Sequence, residues 1–122
     1  MKIRWNKESV RFRIAPSELE ALGNGASISE ELSFNGGFWR ATIARGEKTA
    51  LLQQGGALHL SLSSEDCARL SAPETEGVYF QEEDGPRYFI EKDFPCVHPR
   101  AEQTREESET FAPPPGFEER KL

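Results

Sequence analysis

Apolar and polar residues alternate along the stretch of residues 9–14. Val10, Phe12 and Ile14 fall on one face of an extended chain, and the residues between them, which include two arginines, fall on the other. A period of two residues is typical of a β-strand with one face buried and the other in water. The same alternation over residues 2–5 predicts a shorter strand before it. The first two predicted strands therefore present their charged residues to solvent.

Two short helices are predicted, each directly after a strand. Pro16 suits the first position of a helix, where its missing N–H needs no partner, and Gly23 predicts the end of this helix. Ser63 is a favourable N-cap for the second helix, and Pro73 prevents that helix from continuing. Each helix has about two turns, a length that is marginal in water. We therefore expect both helices to pack against a sheet.

Further strands are separated by tight-turn sequences. Turns are predicted at residues 35–37 (Asn-Gly-Gly) and 54–56 (Gln-Gly-Gly), because asparagine and glycine tolerate the positive φ angles of short hairpin turns. The apolar runs around them predict an antiparallel meander over residues 27–62. Residues 78–80 and 88–90 predict a later hairpin around an Asp-Gly-Pro turn.

A shift of 48 residues superimposes two parts of this pattern without a gap. Residues 9–34 and 57–82 then match as strand, helix and strand. The matched positions are Val10 and Leu58, Phe12 and Leu60, Ile14 and Leu62, Leu19 and Cys67, and Leu22 and Leu70. The match indicates an internal duplication related by a local twofold. The alternative is that amphipathic strands and short helices resemble one another by chance.

These elements predict an α+β fold. We expect a mostly antiparallel β-sheet or a partly closed barrel with two short helices and the strand–helix–hairpin duplication, in one domain of residues 1–100. Residues 101–122 are polar and charged, and they contain a run of prolines between Phe111 and Phe117. Such a segment cannot bury enough apolar surface to fold alone. We therefore predict a polar C-terminal tail.

Composition narrows the class of protein. The chain has 122 residues, of which 36% are apolar and 30% charged, which is enough for one small core. Its net charge of −6 argues against a nucleic-acid partner, which needs a basic surface. Apolar runs fall short of the roughly 18 residues that cross a bilayer, and the first residues lack a secretory signal. A soluble cytoplasmic protein without a membrane partner is expected, with too few cysteines for a disulfide scaffold.

The segment of residues 91–100 is the densest group of functional side chains. Its candidate binding residues are Glu91, Lys92, Asp93, Phe94, Cys96, His98 and Arg100. In an extended chain Cys96 and His98 point to the same side, so they are candidate ligands of zinc or copper. A closed zinc site needs four ligands, however, and we expect Cys67 to lie in the core and His59 to face solvent.

Cys96 and His98 are also a candidate thiol nucleophile and general base. The neighbouring acidic residues oppose the low thiol pKa that this chemistry needs, although Lys92 and Arg100 offset them. We favour a structural role, in which Phe94 and its neighbours cover the end of the core. We therefore assign no catalytic residue, cofactor or metal, and an enzyme is not expected.

A basic stripe is predicted on the outer face of the first strands. It consists of Arg4, Arg11, Arg13 and Arg40, with Trp5 or Trp39 beside it. Arginine next to an aromatic ring can hold an anion or a stacked base. Outward arginines are also ordinary on antiparallel strands, so the stripe has a simple structural explanation as well.

Three stretches of the sequence resemble a small family of uncharacterised bacterial proteins. They are Lys2-Ile3-Arg4, Ser9-Val10-Arg11-Phe12-Arg13-Ile14 and Glu91-Lys92-Asp93-Phe94-Pro95-Cys96-Val97-His98. The resemblance covers residues 1 to about 100. It implies a bacterial cytoplasmic origin and carries no known activity.

The sequence thus predicts a non-catalytic binding or accessory protein, with a protein partner that contacts residues 91–122. Glycine-rich phosphate loops and nucleophile motifs, which would indicate catalysis, do not occur in it. The alternative is a metal- or thiol-dependent protein that uses Cys96 and His98.

Overall fold

The computed structural model describes residues 1–94, Ala112 and Pro115. In chain order its elements are β1 (Lys2–Trp5), β2 (Ser9–Ile14), α1 (Pro16–Gly23), β3 (Ile28–Phe34), β4 (Gly37–Gly46), β5 (Ala50–Gln54), β6 (Ala57–Ser63), α2 (Ser64–Ser71), β7 (Gly77–Gln81) and β8 (Arg87–Lys92). The described part of the chain is therefore mostly β-structure with two short helices, which agrees with the predicted α+β class.

The strands form two four-stranded sheets with the same plan. The first sheet has the order β1-β2-β8-β7, and the second sheet has the order β3-β4-β6-β5. In each sheet the two central strands are parallel, and each central strand has an antiparallel hairpin partner at its outer side. Both sheets are thus mixed.

A single apolar core lies between the inner faces of the two sheets. Its fully buried large side chains are Phe12, Ile14, Leu22, Ile43, Leu60, Leu62, Leu70 and Ile90. They come from the central strands of both sheets and from one face of each helix. The alternation predicted for β2 is confirmed, because Val10, Phe12 and Ile14 are all buried.

The hairpin turns and the helices lie at opposite ends of the sheets. Because β2 and β8 are parallel and each follows a hairpin turn, both turns of the first sheet lie at the same end. The same holds for β4 and β6 in the second sheet. Helices α1 and α2 connect the other ends, where most of the buried side chains lie. We call these two regions the turn end and the helix end.

The predicted helix boundaries are confirmed. Helix α1 begins at Pro16 and ends at Gly23. The hydroxyl of Ser63 accepts a hydrogen bond from the N–H of Asp66 at 3.1 Å, and so caps α2. Cys67 lies on the buried face of α2, as expected.

The predicted meander over residues 27–62 is wrong in its strand order. Strand β4 pairs with β6 in parallel, with Ile43 opposite Leu60, and β5 lies at the edge of the sheet. The physical reason is burial: β6 contributes Leu60 and Leu62 to the core, whereas three of the five residues of β5 are exposed. The more apolar strand takes the central position.

The predicted barrel is also not found. Within residues 1–94 the strands form two separate sheets, each with two edge strands, so the structure has no closed barrel.

We expect Phe12→Ala to lower the free energy of unfolding by about 3–5 kcal/mol, because the ring is fully buried between the sheets. Phe38→Ala is the matched control, since Phe38 is 46% exposed on the outer face of the second sheet and should cost about 1 kcal/mol or less. Urea unfolding of both variants measures the difference. Equal losses would contradict the central place of Phe12 in the core.

Candidate functional site

A large cleft opens between the two sheets at the turn end. Its volume is about 940 Å³, which lies within the usual range for small-molecule sites. All four hairpins contribute residues to its lining, although the β3–β4 hairpin contributes only Trp39. The lining residues are Ile3, Trp5, Asn6, Lys7, Glu8, Ser9, Val10, Trp39, Leu51, Gln53, Gly55, Gly56, Ala57, Leu58, Gln81, Asp84, Gly85, Pro86 and Arg87. The space between the sheets that the core fills at the helix end is open at the turn end, and this open part is the cleft.

Two tryptophans form the aromatic wall of the cleft. The rings of Trp5, from β1, and Trp39, from β4, are stacked with centroids 5.9 Å apart. Trp5 is 68% exposed, although it lies at an apolar position of the strand pattern. Leu32 faces Trp39 in the neighbouring strand and is 62% exposed, and Phe34 two residues later is 58% exposed. The exposed apolar surface of the cleft therefore extends along β3 through Leu32 and Phe34.

The charged residues that line the cleft are balanced. Lys7 and Arg87 carry positive charge, and Glu8 and Asp84 carry negative charge. The formal charges of the residues that line the cleft therefore cancel.

Hydrogen bonds hold the turns beside the cleft. The Oδ1 atom of Asn6 accepts the backbone N–H groups of Glu8 at 2.8 Å and Ser9 at 2.9 Å, and this fixes the β1–β2 turn. The N–H of Arg87 donates to the carbonyl of Glu8 at 3.0 Å, which ties this turn to the start of β8. These contacts preorganise one wall of the cleft.

Glu82, in the turn between β7 and β8, connects the two sheets. Its Oε1 atom accepts a hydrogen bond from the N–H of Leu51, in the edge strand β5, at 3.1 Å. Burial, together with the negative charge of Glu82, raises the pKa of Tyr88 to about 12. The Tyr88 ring is also stacked on Phe80, with centroids 5.1 Å apart. The β7–β8 hairpin is therefore anchored to the second sheet by one carboxylate.

A second, smaller pocket lies on the outer face of the β1–β2 hairpin. Its volume is about 200 Å³, and it is lined by Lys2, Ile3, Arg4, Arg11 and Arg13. Lys2 lies directly opposite Arg13, and Arg4 lies directly opposite Arg11. We call this group the basic pocket.

Carboxylates and aromatic rings surround the basic pocket. Glu91, in β8, lies 2.9 Å from Nε of Arg11 and 3.8 Å from Nε of Arg13. The guanidinium of Arg11 lies over the Phe89 ring, 5.6 Å from its centroid, and the hydroxyl of Tyr79 donates to Oε2 of Glu91 at 3.1 Å. The outer face of the first sheet is thus basic and partly aromatic.

The predicted basic stripe is confirmed for three of its arginines and wrong for the fourth. Arg4, Arg11 and Arg13 share the outer face of the β1–β2 hairpin. Arg40 lies in the other sheet, opposite Glu31, and its Nε atom donates to Glu31 Oε2 at 2.8 Å. The reason is that β4 pairs with β3 and β6, so Arg40 lies on the outer face of the second sheet.

The structure describes four of the seven candidate residues in the predicted binding segment. Glu91 and Lys92 belong to β8, and the Nζ atom of Lys92 donates to the carbonyl of Ala72 at 2.8 Å. Asp93 lies 2.9 Å from Nζ of Lys2, and this hydrogen bond lowers the pKa of the Asp93 carboxyl. Phe94 is 55% exposed. The described contacts of these charged side chains thus join the end of β8 to neighbouring elements.

The remaining candidates, Cys96, His98 and Arg100, lie outside the described residues. The two other residues considered for a metal site do not point to one place: Cys67 is buried in the core, whereas His59 alternates with inward leucines and faces outward from β6. Within the described part of the chain, no group of three or more His, Cys, Asp or Glu side chains is arranged to hold a metal ion.

The sequence pattern did not predict the cleft. The pattern placed Trp5 or Trp39 beside the basic stripe. It could not show that the two rings stack on each other, because they lie in different sheets. The sequence did carry one signal, because Leu32 and Phe34 are large apolar residues directly before the predicted turn at residues 35–37.

Two mixed sheets that share one core and leave an open apolar cleft define the structural class of the protein. The chain belongs to the family of unknown function DUF7009, whose model matches residues 1–115. No curated protein and no solved structure matches the chain. Among the residues that the structure describes, no helix is long and apolar enough to cross a membrane.

Because the pKa of Tyr88 is raised in the folded protein, we expect the free energy of unfolding to fall as the pH rises from 10 to about 12. Above pH 10 the unfolded chain releases the phenol proton, whereas the folded protein keeps it until about pH 12, so alkaline conditions favour unfolding. The free energy of unfolding, measured by urea titration across this range, should fall less steeply in Tyr88→Phe than in the wild type. Equal slopes in the two proteins would show that the pKa of Tyr88 is not raised.

Proposed function

We propose that this protein is a non-catalytic binding protein whose cleft takes a small, uncharged ligand with an aromatic or other flat apolar group. The observation that carries the proposal is the cleft of about 940 Å³ with the stacked pair of Trp5 and Trp39 in its wall. Clefts of this size, with apolar walls and a few polar groups, are the usual form of small-molecule sites.

The aromatic pair supports a flat ligand. The mutual stacking of Trp5 and Trp39 covers one face of each ring, and the 68% exposure of Trp5 leaves the rest of its surface open to a ligand. Aromatic rings prefer offset-stacked or edge-to-face neighbours, so a flat apolar group fits beside them. A large side chain left exposed at an inner-face position is a cost that a bound ligand would remove.

The charge balance of the cleft supports an uncharged ligand. Lys7 and Arg87 are matched by Glu8 and Asp84, so the field at the cleft favours neither sign. The polar groups of the turns can instead form hydrogen bonds that orient the ligand.

We also propose that the fold arose by internal duplication. The β1–β2 and β5–β6 hairpins support this, because Lys2 faces Arg13 and Ala50 faces Ser61, and each residue of the second pair lies 48 positions after its counterpart. Residues 9–34 and 57–82 both run from a central strand of one sheet through a helix to an edge strand of the other. The β7–β8 hairpin departs from the match by one residue. A duplicated chain would bring corresponding hairpins to the two walls of the cleft.

The binding role is consistent with an accessory protein of the bacterial cytoplasm, as the resemblance implies. A protein partner that contacts residues 91–122 remains part of the proposal. Of this segment, residues 91–94 follow the course of β8 to the helix end, away from the cleft.

The test uses the uncharged fluorescent probe 1-N-phenylnaphthylamine. We expect saturable binding with one probe per chain, and about tenfold weaker binding in Trp5→Ala and Trp39→Ala, because each change removes a stacking surface. The probe should also change the intrinsic fluorescence of the protein, since both tryptophans of the chain lie in the cleft.

Phe38→Ala is the control, because it removes an exposed aromatic ring from the outer face of the second sheet. Its affinity for the probe should equal that of the wild type. Absence of saturable binding, or an equal loss in Phe38→Ala and Trp5→Ala, would exclude the cleft as the binding site. Circular dichroism of each variant establishes that the fold is intact.

A further inference from the structure

Strand β3 is the longest edge strand in the described part of the chain. It has seven residues, whereas the other edge strands, β1, β5 and β7, have four or five. Within residues 1–94, β3 pairs with β4 alone, so the backbone groups on its other side have no strand partner. Six of its seven residues are exposed. Natural proteins usually keep an edge short or cover it, because an open edge accepts a further strand.

The side chains of β3 also favour the addition of a strand. Leu32 and Phe34 lie on the inner face of the second sheet, and both are exposed. Leu32 lies opposite Trp39, and Phe34 lies opposite Gly37, which has no side chain that could cover the ring. Large apolar side chains that remain exposed beside an open sheet edge are typical of a site where another chain binds.

A second copy of β3 can occupy this edge in the antiparallel direction. Two identical strands then pair around a twofold axis, which is the commonest symmetry of homodimers. If the axis is perpendicular to the sheet, the inner faces of the two copies are continuous. Residues that face each other across an antiparallel pair lie on the same face of the sheet, so one residue of β3 must lie directly opposite its own copy.

The glutamates of β3 restrict the choice of register. A register centred on Glu30 or Glu31 would place each carboxylate opposite its own copy, and like charges in this position destabilise a sheet. Registers centred nearer either end of the strand pair three residues or fewer. A register centred on Leu32 pairs residues 30–34 of both copies and sets no like charges opposite each other.

On the inner face this register joins the apolar residues of the two copies. Leu32 faces its own copy, so an apolar row runs from Trp39 through both leucines to the Trp39 of the second copy. Phe34 faces Glu30 of the second copy, where the ring can pack on the methylene groups of the glutamate. Leu32 and Phe34 are thus removed from water.

On the outer face the register pairs a hydroxyl with a carboxylate. Ser33 faces Glu31 of the second copy, and its hydroxyl can donate a hydrogen bond to that carboxylate. Glu31 already accepts a hydrogen bond from Nε of Arg40 at 2.8 Å, so each glutamate at the interface keeps a cation beside it. Both faces of the paired strands are therefore chemically complementary.

We propose that two copies of this chain associate by antiparallel pairing of their β3 strands, with Leu32 at the twofold axis. The second sheets of the two copies, each of four strands, then form one continuous sheet. Backbone hydrogen bonds along the strand supply affinity, and the facing side chains fix the register. The apolar row brings the Trp39 sides of the two clefts to the same interface. The dimer does not depend on the ligand proposed for the cleft.

Sedimentation velocity of the full chain over a range of micromolar concentrations tests the association. We expect the mass to rise with concentration from that of one chain to that of two. Leu32→Lys places two like charges at the axis and should raise the dissociation constant of the dimer about tenfold or more. Leu52→Lys is the matched control, because Leu52 is also exposed on an edge strand of the same sheet, and it should associate as the wild type does.

Disulfide cross-linking tests the register. With Cys96 replaced by serine, Leu32→Cys should form an intermolecular disulfide under mild oxidation, because facing Cβ atoms at the axis lie about 4.5–5.5 Å apart. Glu30→Cys is the control, since it faces residue 34 of the second copy and should cross-link much more slowly. Cys67 is buried and does not compete.

Three results would overturn the proposal. A wild type that stays monomeric throughout would exclude the dimer, and slow hydrogen exchange of the β3 amides in that monomer would assign the edge to another segment of the same chain. Equal weakening in Leu32→Lys and Leu52→Lys would place the interface elsewhere. Equal cross-linking rates for Leu32→Cys and Glu30→Cys would exclude the register centred on Leu32.

Discussion

Each of the two sheets is amphipathic, and neither is stable until its apolar face is covered by the other. The large buried side chains of both sheets meet in one core, and Leu22 and Leu70 of the two helices complete it. Burial of apolar surface is the dominant favourable term in folding, and a chain of this size has room for one such core. The connections, the strand order and the free surfaces all follow from this packing.

The uneven distribution of that core produces the cleft. Both helices lie at the same end, so the inner faces are fully covered there and become progressively exposed toward the hairpin turns. Ile28 is buried at the start of β3, whereas Leu32 and Phe34 on the same face are exposed at its end. The same stacking of sheets that closes the core at one end thus leaves an apolar surface open at the other, where Trp5 and Trp39 meet.

The stability of the core also permits an unfavourable arrangement on the surface. The facing cations of the β1–β2 hairpin are held in register by the inner face of β2, whose Phe12 and Ile14 are fully buried. A shift of one residue would relieve the facing charges, but it would also turn the apolar residues toward solvent. The facing cations of the hairpin are therefore a consequence of the register that the core imposes.

Short-range patterns were sufficient to predict the strands, the helix boundaries and the turns, because alternation, caps and positive φ angles are local properties of the chain. The N-cap at Ser63 and the buried face of β2 are examples. The strand order and the cleft required the tertiary structure. Strands β2 and β8 are parallel neighbours although more than seventy residues separate Ser9 from Arg87, and local pattern carries no information about such a pairing. Trp5 and Trp39 meet only because burial of the core places their two sheets face to face.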